Sequence, residues 1–238
     1  MKGRLYIPLN IMCTEGLFLF DKTNIGQCKV NLVNSPLYNG YSVLSKDGPL
    51  VENILRGNEL VLSRVQTNHN RIAVMRFELK FPARFTGNTE IISKFFDSLR
   101  YRIRNDLLKK TEARGRSISS EIGYVWVKEL SGRHGWHYHV ALMLNYDVYN
   151  CFGVINSENP NMYNRILYAW AGALGYPVND TRGLVHIPEN PVYKLDRNIS
   201  SLYEDTHEVL YRLSYLAKLK TKPYGVGYGM RFFGTSMR

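Results

Sequence analysis

A predicted β-hairpin is the feature of this sequence that most restricts its fold. Two β-prone runs, residues 118–130 and 136–144, flank a short glycine-containing loop at 131–135. Because side chains of a strand alternate between its two faces, His137 and His139 point to the same face. The aromatic and aliphatic residues between and after them point to the other face, where they can bury against a core.

The register of this hairpin brings a carboxylate to the two histidines. A five-residue loop pairs Glu129 with His137, and directly opposed residues share a face with Cβ atoms roughly 5 Å apart. The sequence therefore predicts a metal site formed by Glu129, His137 and His139, although a one-residue slip would turn Glu129 away. These ligands suit Mg²⁺ or Mn²⁺, and ligand type alone leaves Zn²⁺ and Fe²⁺ open. A purely structural zinc site that includes His134 is an alternative.

A nucleophile is predicted on a late helix, over about residues 200–220. Tyr211, Tyr215, Lys218 and Lys222 fall at i, i+4, i+7 and i+11, on one face of such a helix. A tyrosine hydroxyl has a pKa near 10 and needs a nearby cation to become a good nucleophile. Lys218, one turn from Tyr215, can supply that charge or neutralise a phosphoryl oxygen. Tyrosines on a helix also occur without any such role.

The charge of the chain favours a nucleic-acid partner. The net charge is +11 and the pI is about 9.5, which suits a polyanion. Basic residues recur on a predicted helix at 89–114 and, interleaved with aromatic residues, after position 211, as in proteins that bind single-stranded DNA. A solvated helix face and a disordered basic tail are the alternatives. The residues predicted to contact DNA are Arg100, Arg104, Arg133, Lys220, Lys222 and Arg231.

The order of elements predicts an α+β fold. It is a split βαβ plan, ferredoxin- or RRM-like, with an antiparallel sheet and helices on one face. Residues 1–48 are expected to form an irregular N-terminal extension, and residues 49–238 the domain that carries these motifs, with a basic C-terminal tail. Three widely spaced cysteines, without a secretion signal or a membrane span, predict a location in a reducing cytosol. Helices are predicted at 50–68, 89–114, 161–174 and 200–220, and strands at 71–81, 118–130, 136–144 and 183–187.

These motifs resemble those of the HUH endonucleases, the rolling-circle replication initiators and relaxases. The resemblance rests on His137-Tyr138-His139 as the HUH motif, on Glu129 upstream, and on Tyr215 with Lys218 on a late helix. Within that group the chain is most similar to the inovirus replication-protein family. The similar segments are 125–129, 137–140, 214–218 and 233–236, and the resemblance covers about residues 50–238.

The resemblance implies that residues 49–238 are an HUH-type nuclease domain that acts in the cytoplasm of a bacterial host, and it implies a reaction and a set of partners. A divalent ion would position a phosphate of a single-stranded origin, and Tyr215, assisted by Lys218, would attack it. The products would be a 5′-phosphotyrosine link and a 3′-hydroxyl for a host polymerase, which initiates rolling-circle replication of a phage or mobile element. Tyr211 would be a second tyrosine, as in some relatives. Because no GxxxxGK[ST] motif is present, a host helicase is expected as a partner. The alternative is a non-catalytic DNA-binding protein for an origin or operator on the same fold.

Overall fold

A computed structural model describes residues 5–7, 30–83, 85, 90–132, 135–155, 157–222 and 231–237. The strands are β1 (Leu5–Ile7), β2 (Val30–Val33), β3 (Leu37–Tyr38), β4 (Tyr41–Ser42), β5 (Leu50–Val51), β6 (Arg71–Lys80), β7 (Gly123–Ser131), β8 (Gly135–Asn145), β9 (Val185–His186), β10 (Val192–Asp196) and β11 (Phe233–Thr235). The helices are α1 (Glu52–Asn68), α2 (Ile91–Arg114), α3 (Met162–Leu174), α4 (Val178–Thr181) and α5 (Leu202–Leu213), with 3-10 turns at Arg182–Leu184 and Ser214–Ala217.

The main sheet has six strands, and every pairing in it is antiparallel. The strand order is β10, β6, β8, β7, β11, and β9 pairs with the same edge of β6 as β10 does. This arrangement confirms the predicted α+β class with an antiparallel sheet. The predicted strand at 183–187 is present as the short β9, whereas β10 was not predicted.

One face of the sheet, the α2/α3 face, is an apolar core. Phe77, Tyr138 and Trp170 are each no more than 1% exposed there, and the rings of α2 and α3 interlock edge to face with those of the sheet. The apolar residues of α2 recur every three or four positions, which forms one buried stripe. Gly115, with φ of 61°, ends this helix in the left-handed conformation that glycine adopts without strain.

The opposite face, the α1/α5 face, carries a second core. Val74, Val125 and Met143 project from the strands against α1 and α5, and all three are fully buried. Helices therefore cover both faces of the sheet, whereas helices were predicted on one face only. The reason is that the inner strands alternate between two apolar sets of side chains, so both faces need cover.

Part of the predicted N-terminal extension packs on the α1/α5 face. Leu32, Tyr38, Tyr41 and Val43 are buried in that core. Strand β2 pairs with β1 and β5 in a small separate sheet. Residues 30–51 therefore cover α1 and lead directly into it. Among the described helices, none has both the length and the apolar character that crossing a membrane requires.

Candidate functional site

Three predicted ligands meet at one end of the α1/α5 face. Glu129 in β7 is paired with His137 in β8, as predicted from the loop length. The Nε2 atoms of His137 and His139 are 3.1 Å apart, and His139 Nε2 is 3.3 Å from Glu129 Oε2. One possible ligand atom from each residue lies within 4.8 Å of the others. The hairpin thus collects two imidazoles and one carboxylate around a common point.

The other ring nitrogen of each histidine has an oxygen partner. His137 Nδ1 lies 3.0 Å from the carbonyl oxygen of Gly135, and His139 Nδ1 lies 3.4 Å from Glu78 Oε1. Because these oxygens accept hydrogen bonds, they favour the tautomers in which Nδ1 carries the proton and Nε2 offers a lone pair. Burial lowers the pKa of His137 below its usual value, which favours the neutral ring near pH 7.

The carboxylate of Glu129 is held between a histidine and a lysine. Its Oε1 accepts a hydrogen bond from Lys222 Nζ at 2.5 Å, and both side chains are nearly inaccessible to solvent. Burial by itself raises the pKa of Glu129. The hydrogen bond to His139 and the charge of Lys222 outweigh burial and lower that pKa to about 2.

Tyr215 faces this cluster, with its ring centroid 5.5 Å from that of His139. Lys218 Nζ lies 4.2 Å from the centroid of the Tyr215 ring and donates to Asp47 Oδ2 at 2.5 Å. Burial raises the pKa of Tyr215 above its usual value. Two carboxylates, those of Glu129 and Glu78, raise it further, while Lys218 and Arg76 act in the opposite direction. A cation at the cluster would therefore oppose the effects that keep this phenol neutral.

The segment that carries Tyr215 is not the predicted continuous helix. Helix α5 ends at Leu213, and residues 214–217 form a 3-10 turn. Ser214 Oγ donates to the carbonyl of Tyr211 at 2.6 Å, and such side-chain bonds to the helix backbone bend helices. The prediction of a helix over 200–220 was therefore wrong after Leu213, and so was the common helical face of its tyrosines and lysines.

The 3-10 turn is fixed to α1 and to the segment before it. Ser214 Oγ accepts the amide of Leu44 at 2.9 Å, and Asn58 Nδ2 donates to the carbonyl of Leu213 at 3.0 Å. The amide of Leu219 donates to the carbonyl of Pro49 at 3.1 Å. Residues outside the main sheet thus determine where Tyr215 lies relative to the histidines.

The second candidate tyrosine lies in α5, before the 3-10 turn that carries Tyr215. Tyr211 is in α5, with the guanidinium carbon of Arg212 5.9 Å from its ring centroid. Among the described residues, the ring contact with His139 belongs to Tyr215 and not to Tyr211. A small cleft beside the site is lined in part by Arg76, Glu78, His139 and Leu216. Arg76 therefore places a cation next to the cluster.

The residues predicted to contact DNA are divided between the two faces. Arg100 and Arg104 are in α2, and Arg231 lies over Trp126 at 5.3 Å, so all three are on the face opposite the histidines. Arg100 also forms an ion pair with Asp97 at 2.5 Å. Lys220 is exposed and lies two residues after Lys218, whereas Lys222 is buried against Glu129. Arg133, like His134, lies outside the described residues.

Three residues of the site were not predicted in the positions they occupy. Glu78 lies opposite His139 across the β6–β8 pairing, Arg76 is two residues before it, and Lys222 binds Glu129. The alternation of β6 puts Arg76 and Glu78 on one face, which is a signal that the sequence contains. The long connection between β6 and β8 leaves their register open, so the pattern could not show that this face meets the histidines.

Comparisons with known proteins agree on one family. The model of the YagK/YfjJ C-terminal domain matches residues 33–236. The uncharacterized protein YagK of Escherichia coli strain K12 is 31% identical over 186 residues, which cover 74% of this chain and 88% of YagK. The uncharacterized protein YfjJ of the same strain is 32% identical over 147 residues, which cover 61% of this chain and 70% of YfjJ. No solved structure matches the chain. The chain therefore belongs to the YagK/YfjJ C-terminal domain family.

Proposed function

We propose that this protein is a metal-dependent endonuclease and strand transferase of the HUH type, acting on single-stranded DNA. The observation that carries the proposal is the position of Tyr215. Its ring is 5.5 Å from that of His139, in a cluster with Glu129 and His137. A nucleophile, a metal-binding set and a lysine thus meet on one side of the sheet, as the chemistry of phosphodiester cleavage requires.

The cluster fits a divalent cation. When Nδ1 carries the proton in both rings, His137 Nε2 and His139 Nε2 are acceptors that face Glu129 Oε2. These three atoms repel one another unless a proton, as in the hydrogen bond between His139 and Glu129, or a cation lies between them. The outer contacts of both Nδ1 atoms keep the Nε2 lone pairs directed at this point. Mg²⁺ or Mn²⁺ bound there would supply Lewis-acid polarisation of a phosphate oxygen.

The proposed reaction is a transesterification at one phosphodiester. The Tyr215 Oη attacks the phosphorus and loses its proton to solvent, a bond forms between Oη and phosphorus, and the bond from phosphorus to the 3′-oxygen breaks. The 3′-oxygen leaves and takes a proton from water. The products are a 5′-phosphotyrosine link and a free 3′-hydroxyl. Since one phosphate ester replaces another, the strand can be rejoined by the reverse reaction.

Cations around the cluster suit a polyanionic substrate. Lys218 and Arg76 both lie close enough to Tyr215 to act on its pKa, and Lys220, two residues after Lys218, is exposed. Charges of this kind neutralise phosphoryl oxygens during attack. The net charge of +11 provides long-range attraction for DNA.

The biological role that we propose is the initiation of rolling-circle replication of a phage or mobile element. The resemblance of the HUH, tyrosine and lysine motifs to the inovirus replication-protein family supports this role. The free 3′-hydroxyl would be extended by a host polymerase, and a host helicase would separate the strands. Both steps would take place in the cytoplasm of a bacterial host.

A covalent adduct with DNA is the test of this function. Tiled single-stranded oligonucleotides from both strands of the replicon that encodes the chain are incubated with the protein and Mn²⁺ or Mg²⁺. We expect one oligonucleotide to give an adduct that survives denaturing electrophoresis and that disappears on chelation of the metal. Tyr215→Phe should abolish the adduct and retain DNA binding, because only the nucleophilic oxygen is removed.

Two outcomes would contradict parts of the proposal. Tyr211→Phe is the matched control and should form the adduct as the wild type does. An adduct that persists in Tyr215→Phe and is lost in Tyr211→Phe would make Tyr211 the nucleophile. Tight binding of an oligonucleotide with no adduct under any condition would favour a non-catalytic origin- or operator-binding protein.

A further inference from the structure

The positive charge beside the cluster of Glu129, His137 and His139 is provided by Lys222, a residue outside the segments on which the resemblance rests. Its Nζ donates to Glu129 Oε1 at 2.5 Å, and its side chain is 0% exposed. The backbone around it is fixed as well, because the amide of Lys222 donates to Leu219 and the amide of Leu130 donates to Thr221. These backbone hydrogen bonds fix the position from which the Lys222 ammonium reaches Glu129.

The two oxygens of the Glu129 carboxylate have different neighbours. Oε1 is bound to Lys222, and Oε2 lies 3.3 Å from His139 Nε2. We propose that Lys222 is a positioning residue for the metal ligand: by holding Oε1, it fixes the carboxylate so that Oε2 points to the cation between the histidines. This inference rests on the metal site of the proposed function.

All three proposed ligands have a partner on their second polar atom. This shared feature distinguishes the Glu129–Lys222 pair from an incidental buried ion pair. The Nδ1 of His137 is fixed by the Gly135 carbonyl, that of His139 by Glu78, and the Oε1 of Glu129 by Lys222. Each ligand thus has its second polar atom occupied by a partner that orients the first. Partners of this kind typically change metal affinity by about 10- to 100-fold when they are removed.

Metal affinity without DNA tests the inference. The dissociation constant for Mn²⁺ is measured on the full chain by electron paramagnetic resonance of the free ion, with folding checked by circular dichroism. We expect Lys222→Met to weaken Mn²⁺ binding by about 10- to 100-fold per folded molecule. Lys220→Met, which removes an exposed charge two residues earlier, is the matched control and should bind Mn²⁺ as the wild type does.

A second variant keeps the charge and changes the geometry. Lys222→Arg places a longer, forked cation against the carboxylate, and a guanidinium can bind both of its oxygens. We expect a smaller loss of Mn²⁺ affinity and a shift of the d–d absorption bands of the Co²⁺-loaded protein. If Lys222→Met does not fold, Lys222→Arg by itself tests whether Lys222 positions the Glu129 carboxylate.

The outcomes separate this inference from the function it rests on. Unchanged affinity in folded Lys222→Met, or unchanged affinity and spectrum in Lys222→Arg, would overturn the positioning role and leave the metal site intact. Tighter binding in Lys222→Met would show that Lys222 competes with the metal, which also overturns it. A wild-type chain that binds neither Mn²⁺ nor Co²⁺ would overturn both the metal site and this inference.

Discussion

The two faces of the main sheet carry different chemistry at the same strand positions. In β8, Tyr138 packs among aromatic rings on the α2/α3 face, while His137 and His139 on either side of it face a carboxylate and a tyrosine. In β7, Glu129 is only 2% exposed on the α1/α5 face. One face is apolar along these strands apart from Lys128, whose ammonium lies over the rings of Phe81, Trp136 and Tyr138. The other face becomes polar at Glu129, His137 and His139, which form a cluster there.

This difference separates residues that stabilise the fold from residues that reduce its stability. Removing charged groups from water costs free energy that their mutual attraction often does not recover. A buried Glu129–Lys222 pair beside two histidines therefore lowers stability compared with an apolar core. Such a cluster is a feature of functional sites, and we expect substitutions on the two faces to have opposite consequences.

The largest effect on stability is expected from Phe95→Ala on the α2/α3 face. Phe95 is 0% exposed and contacts the rings of Phe77, Phe96 and Trp170. The cavity should lower the free energy of unfolding by about 3–5 kcal/mol, as measured by urea unfolding followed by circular dichroism. The affinity of the folded protein for Mn²⁺ should not change. A loss of metal binding with little loss of stability would contradict the division between the faces.

The second prediction concerns the double variant Glu129→Met with Lys222→Met. Replacing a buried ion pair by apolar side chains of similar volume is often neutral or stabilises a protein by about 1–4 kcal/mol. We expect the double variant to unfold at the same or a higher urea concentration than the wild type and to lose Mn²⁺ binding. The single variant Glu129→Met should be less stable than both, because it leaves the Lys222 charge buried without a partner. A double variant less stable than this single variant would mean that the pair is needed for folding.

The smallest effect is expected from Asp47→Asn at the edge of the site. Asp47 holds the ammonium of Lys218 over the Tyr215 ring, but it is largely exposed, and exposed ion pairs contribute little. The rate of adduct formation should fall by less than roughly tenfold, with Mn²⁺ affinity unchanged. Lys46→Gln, which alters a neighbouring exposed charge, is the control. A faster reaction in Asp47→Asn would show that the ion pair with Asp47 keeps Lys218 from acting in the reaction, and that it does not place Lys218 for that role.

Local patterns in the sequence were sufficient for the part of the site that lies in the hairpin. The five-residue loop and the alternation of the strands determined that Glu129 faces His137, and the structure confirms this register. Both signals act over a few residues, so no knowledge of distant contacts was needed. The α+β class followed from the order of the elements in the same way.

Contacts between distant segments could not be predicted in this way. Glu78 and Lys222 reach the cluster from β6 and from the segment after the 3-10 turn, and the sequence contains no signal for the register of either. The end of α5 depends on Ser214, whose hydroxyl bonds the backbone of Tyr211 and accepts from Leu44. The hydrophobic spacing of the sequence remains helical past this point. It carries no information about the contacts of Ser214, so it could not show that the helix ends there.

The attachment of the 3-10 turn has a consequence for shortened versions of the chain. A fragment that begins at residue 49 would retain every strand of the main sheet and all three ligands of the cluster. It would lack the amide of Leu44 and the carboxylate of Asp47, which hold the turn and Lys218 in place. The same fragment would also uncover the part of the α1/α5 core on which Leu32, Tyr38 and Tyr41 pack. The segment before residue 49 therefore serves both the stability of the fold and the alignment of the tyrosine.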